Sequence, residues 1–119
     1  MQQSNGTRTQ YSIVLDREKI EREDEYDYND LVEYLDTELG KHGFFRKSCE
    51  DCLCYCNDEP NNFFNQMAGY LVIVKQPAIY DNLKDWQLEE FEDNDFVNPA
   101  MVENVLETIA AHGGNPLFA

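Results

Sequence analysis

Gly69–Lys75 reads GYLVIVK, an unbroken apolar run closed by a lysine. It lacks the polar alternation of a half-exposed strand, and so predicts a strand buried on both faces, ended by Pro77. The rest of the fold is placed around it. Upstream, Thr9–Asp16 (TQYSIVLD) alternates around Tyr11, Ile13 and Leu15 and predicts a second strand. Residues 44–56, FFRKSCEDCLCYC, predict a third, followed by a turn around Asn57–Asn62. Residues 81–92 stay open. Trp86 and Leu88 alternate with polar residues as in a strand, whereas Leu83, Trp86 and Phe91 also allow a ragged helix.

Two helices complete the pattern. Asn29 reads as an N-cap for DLVEYLDTEL, a helix over about 30–39 stopped by Gly40. Leu31, Leu35 and Leu39 share one face with Val32 beside them, Asp30, Glu33 and Asp36 lie opposite, and Tyr34 is at the flank. Asn98-Pro99 predicts a second helix over about 99–112. Its buried stripe would be Met101, Val102, Val105, Leu106, Ile109 and Ala110, with Gly113 as the stop. Residues 16–29 are so charged that a loop or extended arm is expected. The expected fold is therefore a small α+β domain, a three- to four-stranded, mostly antiparallel sheet with two helices. Residues 1–8 read as a disordered start and 9–119 as one domain.

Composition sets the function classes. Seven Tyr, seven Phe and one Trp in 119 residues support a packed core, but 24 Asp and Glu face only nine Lys and Arg, a net charge of −15. Such a field repels nucleic acid and anionic membranes and draws in cationic partners. The basic patch that phosphate binding needs is missing. No apolar stretch is long enough to span a membrane, and MQQSNGTRTQ lacks the apolar region of a signal peptide. A cytoplasmic protein with reduced cysteines is expected.

Specific chemistry is sparse. With so many carboxylates, a general acid/base pair carries no information. DEYDYND and DNDFVNP lack the central glycine of a calcium loop, and no glycine-rich phosphate loop occurs. His42 and His112 each sit near an expected helix C-terminus, where an imidazole suits the dipole. No enzymatic role and no cofactor are expected. Cys49, Cys52, Cys54 and Cys56 have the spacing C-x2-C-x-C-x-C, unlike the two separated knuckles of a zinc ribbon. In an extended chain Cys52, Cys54 and Cys56 would stand in a line roughly 6.7 Å apart, too far for a direct disulfide and too open to enclose a metal. The first reading is structural. Metal binding by the four cysteines and redox chemistry are the alternatives.

The acid is clustered. Residues 16–38 hold eleven carboxylates and residues 81–95 hold seven, so 18 of 24 occupy less than a third of the chain. Charge evolved for solubility alone would be spread more evenly. Acids one helical turn apart repeat at about 5.4 Å, and alternate strand residues at about 6.7 Å. A DNA strand presents a phosphate about every 3.4 Å. Two acidic lines can thus offer a basic protein a row of phosphate-like charges. The candidate residues are Glu23, Asp24, Glu25, Asp27, Asp30, Glu33 and Asp36 in the first window. Those in the second are Asp85, Glu89, Glu90, Glu92, Asp93 and Asp95. Tyr26, Tyr28 and Tyr34 supply aromatic anchors in one window. In the other, Trp86, Phe91 and Phe96 are the aromatics, and Trp86 and Phe91 read better as pins to the core.

Carried by DREKIEREDEYDYNDLVEYLDTEL and DNLKDWQLEEFEDND, the chain resembles the bacterial and phage DNA-mimic proteins in size, acidity and charge clustering. That class shares no fold or motif. The resemblance implies a monomer that occupies the DNA site of a basic DNA-binding protein. The favoured target is the histone-like nucleoid protein HU, whose exposed basic surface asks least of a mimic's detailed shape. A restriction or CRISPR effector is the alternative target. Arg17, Lys19, Arg22 and Lys84 interrupt the acidic lines.

Overall fold

The computed structural model describes residues 7–47, 52–59, 63–92 and 96–116. Within them, five strands form one antiparallel sheet and five helices accompany it. The first strand, β1 (Arg8–Leu15), is central, and its alternation is as expected: Tyr11, Ile13 and Leu15 are buried. It pairs with β3 (Leu53–Asn57) on one side and β4 (Leu83–Phe91) on the other. Short edge strands β2 (Phe44–Lys47) and β5 (Met101–Asn104) give the order β2-β3-β1-β4-β5. Residues 44–56 thus contribute two strands where one was expected. Asn57 is the last residue of β3, and its Oδ1 accepts from the Glu59 N–H at 2.9 Å to start the expected turn, whose remainder reaches beyond the described residues.

GYLVIVK is not a strand. It is the second half of α3 (Phe63–Val74), a helix that starts six residues earlier. Pro77 does not close a strand but begins the short α4 (Pro77–Tyr80). A continuous apolar run has no periodicity to separate strand from helix, so its length decides, and Phe63, Phe64 and Met67 extend it to three turns. A strand buried on both faces also needs cover on both sides of the sheet, and here the helices pack on one side only. Gly69 lets α3 approach closely. A Cβ there would lie 3.0 Å from Tyr11 Cε2 and 3.1 Å from Phe44 Cε2.

The charged segment 16–29 is not a loop either. It forms α1 (Arg17–Glu23), started by the Asp16 side chain, which accepts from the Lys19 backbone N–H at 3.1 Å. Ile20, 2% exposed, fixes it to the core, and Asp24, in the left-handed conformation at φ 53°, ends it. Helix α2 (Tyr28–Gly40) matches the expected 30–39 helix, with Leu31, Leu35 and Leu39 inward. Its cap is Asp27 rather than Asn29: Asp27 Oδ1 accepts from the Asp30 N–H at 3.1 Å.

The expected helix over 99–112 is corrected at its start. The Ala100 N–H donates to the Glu90 carbonyl at 2.7 Å, which draws the chain into pairing with β4, so Met101–Asn104 is strand. Helix α5 (Val105–Ala111) begins only at the Asn104 cap. Val105 and Ile109 form its buried stripe, Met101, Val102 and Ala110 are exposed, and Gly113 follows at φ 91°. Within residues 81–92, Leu83–Phe91 is strand.

The main core lies between the helices and one sheet face. Trp86 is fully buried there, its ring 5.2 Å from Tyr70 and 5.9 Å from Tyr11. The other face carries Gln10, Ser12, Cys54, Cys56, Gln87 and Glu89, following the alternation of the paired strands. It is covered at one end by Cys56, Phe91 and Phe96, a small second cluster.

Candidate partner-binding surface

The first acidic window folds into the corner between α1 and α2. Glu23 ends α1, Asp24 to Asp27 make the turn, and Asp30 and Glu33 lie on the outer side of α2. All six are exposed. Tyr26, 41% exposed, stands between two clefts of about 310 and 420 Å³, and Glu25, Tyr26 and Asp27 line both. Asp30 and Tyr34 line the first cleft, and Asp24 lines the second. The turn therefore presents a tyrosine between carboxylates.

These carboxylates divide by what they already hold. Asp27 caps α2. Asp36 is committed inward: its Oδ1 accepts from the Tyr55 hydroxyl at 2.7 Å and pairs with Arg46 Nε at 2.9 Å. Desolvation of Tyr55, and after it the hydrogen bond to Asp36, push the phenol well above its ordinary range. Glu23, Asp24, Glu25, Asp30 and Glu33 have no side-chain partner among the described residues. Arg17 is occupied twice, by Glu21 at 3.0 Å and by the face of Tyr28, 4.4 Å from the ring centroid. Tyr28 is thus covered by a cation of its own chain, leaving Tyr26 as the open aromatic.

The second window is placed differently. Trp86 and Leu88 face the helices, so Asp85 and Glu89 project from the opposite side of the sheet. Glu89 accepts from Gln10 Nε2 at 2.5 Å, and Asp85 from the Trp86 backbone N–H at 3.0 Å. Glu90 faces the helix side at the end of β4, opposite Met101, and Glu92 is exposed just beyond. Asp93 and Asp95 lie outside the described residues. Among the described residues the two windows do not form one acidic face. Trp86, Phe91 and Phe96 are buried and belong to packing.

The cysteines depart from expectation in one respect: Cys52 is disulfide-bonded, not reduced. An extended chain keeps Cys52 from a bond to Cys54 or Cys56, and Cys49 lies outside the described residues. Cys54 and Cys56 are free and buried. Desolvation is the main cause that pushes both thiols up, Cys56 to about 11, which leaves little thiolate for metal or nucleophilic chemistry. Cys54 Sγ lies 3.4 Å from Cys52 Sγ, and the Cys56 thiol donates to Gln10 Oε1 at 3.0 Å. Among the described residues no three His, Cys, Asp or Glu side chains converge as a metal site.

A surface the sequence reading missed lies along α3. Phe63, Phe64 and Met67 are 66%, 81% and 58% exposed beside an apolar cleft of about 450 Å³. A helical reading of 63–74 would have flagged it, since that helix is apolar all round and one side is left uncovered.

Fold and surface together define an acidic, two-layer α+β domain with a carboxylate-rich helix corner. The chain matches no protein-family model and no curated protein. No helix among the described residues is long and apolar enough to cross a membrane.

Proposed function

We propose that this domain is a non-enzymatic, monomeric DNA mimic, acting in the cytoplasm, that binds the DNA-binding surface of a basic protein and competes with DNA. The observation that supports it is the α1–α2 corner, where Asp24, Glu25 and Asp30 line the clefts on either side of Tyr26 and Glu23 and Glu33 stand exposed on the flanking helices, none of the five in an ion pair among the described residues. Long-range attraction brings the basic groove to this corner. Carboxylates then accept charge-assisted hydrogen bonds from Lys and Arg, and Tyr26 supplies contact area with few rotors to freeze. Asp36 stabilises the fold rather than the contact. Asp85 and Glu89 belong to a different face, so one partner surface meets the helix corner first.

The histone-like protein HU is the favoured target, because a long exposed basic surface tolerates a mimic whose charges follow helix rather than DNA spacing. A restriction or CRISPR effector is the alternative. The test is displacement of fluorescent duplex DNA from purified HU at about 0.1 M salt. Displacement by the wild-type protein, lost in Glu25→Lys/Asp30→Lys/Glu33→Lys, is the expected result. No displacement by folded wild-type protein removes HU, and displacement equal to wild type by the triple variant removes the corner.

A further inference from the structure

The apolar side of α3 is exposed where a helix of this composition is normally covered. From Phe63 to Val74 the only polar side chains are Asn65, Gln66 and the hydroxyl of Tyr70. Gly69 and Ile73 pack inward, while Phe63, Phe64 and Met67 stand in solvent. Beneath them the cleft is walled by Tyr11, Tyr70, Leu71, Leu88 and Val105. Among the described residues one carboxylate lines it, that of Glu103 on edge strand β5. The Glu103 side chain is half-buried and has no hydrogen-bond or ion-pair partner among the described residues. Glu90, opposite Met101 and therefore diagonal to Glu103 on the same sheet face, adds a second negative charge nearby.

We infer that this cleft is a docking site for a basic amphipathic helix of a partner protein, with its apolar side on Phe63, Met67 and Tyr70 and a Lys or Arg reaching Glu103. Charge complementarity selects the occupant. Glu103 is the one charged side chain on a largely apolar wall among the described residues, and gives an arriving Lys or Arg a fixed partner. A domain of net charge −15 attracts that cation from a distance. A second copy of the chain fits badly, because it brings the same net charge of −15 to a face that already carries Glu103 and Glu90. A small amine filling the cleft would leave Phe64 in water, whereas a helix laid along α3 covers it as well. Apolar anchors spaced one turn apart are the usual means by which a groove reads a helix. The cleft shares no lining residue with the two clefts at the α1–α2 corner, so this inference does not rest on the DNA-mimic reading.

The probe is a synthetic helix of about fourteen residues, with leucine at helical spacing and lysine elsewhere. The control peptide replaces each leucine by serine and keeps every lysine. Binding is followed by the fluorescence of Trp86, the single tryptophan, whose ring stacks on Tyr70 at the cleft wall. Salt at about 0.3 M suppresses loose ion pairing. The expected result is saturable binding of the leucine peptide and not of the serine control. Met67→Asp should weaken it by about tenfold or more, as loss of a central anchor does, and Glu103→Gln by about threefold. Asp30→Asn/Glu33→Gln at the corner should leave it within about twofold, since neither residue touches the cleft. Phe63→Ser repeats the anchor test should Met67→Asp melt early. Equal binding of both peptides would overturn the inference, as would anchor variants that bind like wild type, or corner variants that weaken binding as much as Met67→Asp. A wild-type dimer in sedimentation that Met67→Asp disperses would give the surface to a second copy. Saturation of the Trp86 signal by hexylamine, where the peptide gives none, would give it to a small amine.

Discussion

Replacing Asp36 by alanine separates the two uses this chain makes of its acid. Asp36 Oδ1 accepts from Tyr55 at 2.7 Å and from Arg46 at 2.9 Å. Tyr55 is 1% exposed, so a hydroxyl left without its acceptor loses about 1–3 kcal/mol. Water entering beside the half-exposed Asp36 site recovers part of that. The Arg46 pair is 45% and 38% exposed at its two side chains and adds at most about 1 kcal/mol. The expected loss is about 2 kcal/mol. In urea, with a slope of about 1–3 kcal/mol per molar, the midpoint should fall by about 1 M. A double-mutant cycle with Tyr55→Phe should return a coupling of about 1 kcal/mol, because the phenylalanine needs no acceptor. Affinity for a basic partner, measured where Asp36→Ala is still folded, should stay within about twofold, as Asp36 is already engaged. A midpoint unchanged to about 0.2 M, or additive single losses, would refute the pin between α2 and β3. A loss of partner affinity matching that of Glu33→Lys would instead return Asp36 to the binding surface.

Three further outcomes follow from burial. Tyr11 and Tyr55 are raised above the ordinary phenol value of 10.0, mainly by desolvation. Their contribution is therefore complete below that value and is lost as pH rises above it, so stability should decline beyond about pH 10. Flat urea midpoints between pH 9 and about 11 would count against this reading. Cys54 and Cys56 should react slowly with a disulfide reagent at about pH 8 in the native state and fast in urea, and equal rates would mean the thiols are not enclosed. Gly69→Ala gains about 1 kcal/mol of helix propensity. It also forces a methyl against two buried rings at 3.0 and 3.1 Å, an overpacking that costs about 1–3 kcal/mol. Net destabilisation by about 1 kcal/mol is expected in urea melts, and a variant more stable than wild type would show that the rings give way.

What the sequence disclosed depended on how local each signal was. The alternation in β1 and the leucine stripe of α2 are read within one element, and both are present as expected. GYLVIVK failed because its meaning depends on where the helix begins and on whether a second layer covers the sheet, neither of which lies in those seven residues. The start at Asn98-Pro99 failed for a similar reason: the Ala100 N–H has a better partner in the Glu90 carbonyl of the neighbouring strand β4, outside the segment being read. The charge of 16–29 hid α1, since a seven-residue helix needs only one apolar residue, Ile20, if both ends are satisfied. For the surface, the first window was legible as exposed acid. The inward commitment of Asp36 was not, because it depends on Tyr55 and Arg46 arriving from the β2–β3 hairpin.

The placement of the acid in the first window bears on why it is there. Asp16 and Asp27 cap helices, and Glu21, Asp36 and Glu38 pair with Arg17, Arg46 and Lys41. Folding accounts for these. Glu18 and Asp30 sit in first turns, where the helix dipole favours a negative charge. Glu23 and Asp24 do not. They occupy the C-terminal end of α1, where the dipole favours a cation, and Glu25 follows directly. Stability alone would select lysine or neutral residues at these positions, as Arg22 one residue earlier illustrates. Solubility alone would not require them next to one another. Neutralisation from outside the chain would relieve both the dipole conflict and the mutual repulsion, and a cationic surface is the simplest chemistry that does so. On the proposed function, the residues worst placed for α1 are the ones a basic partner would neutralise.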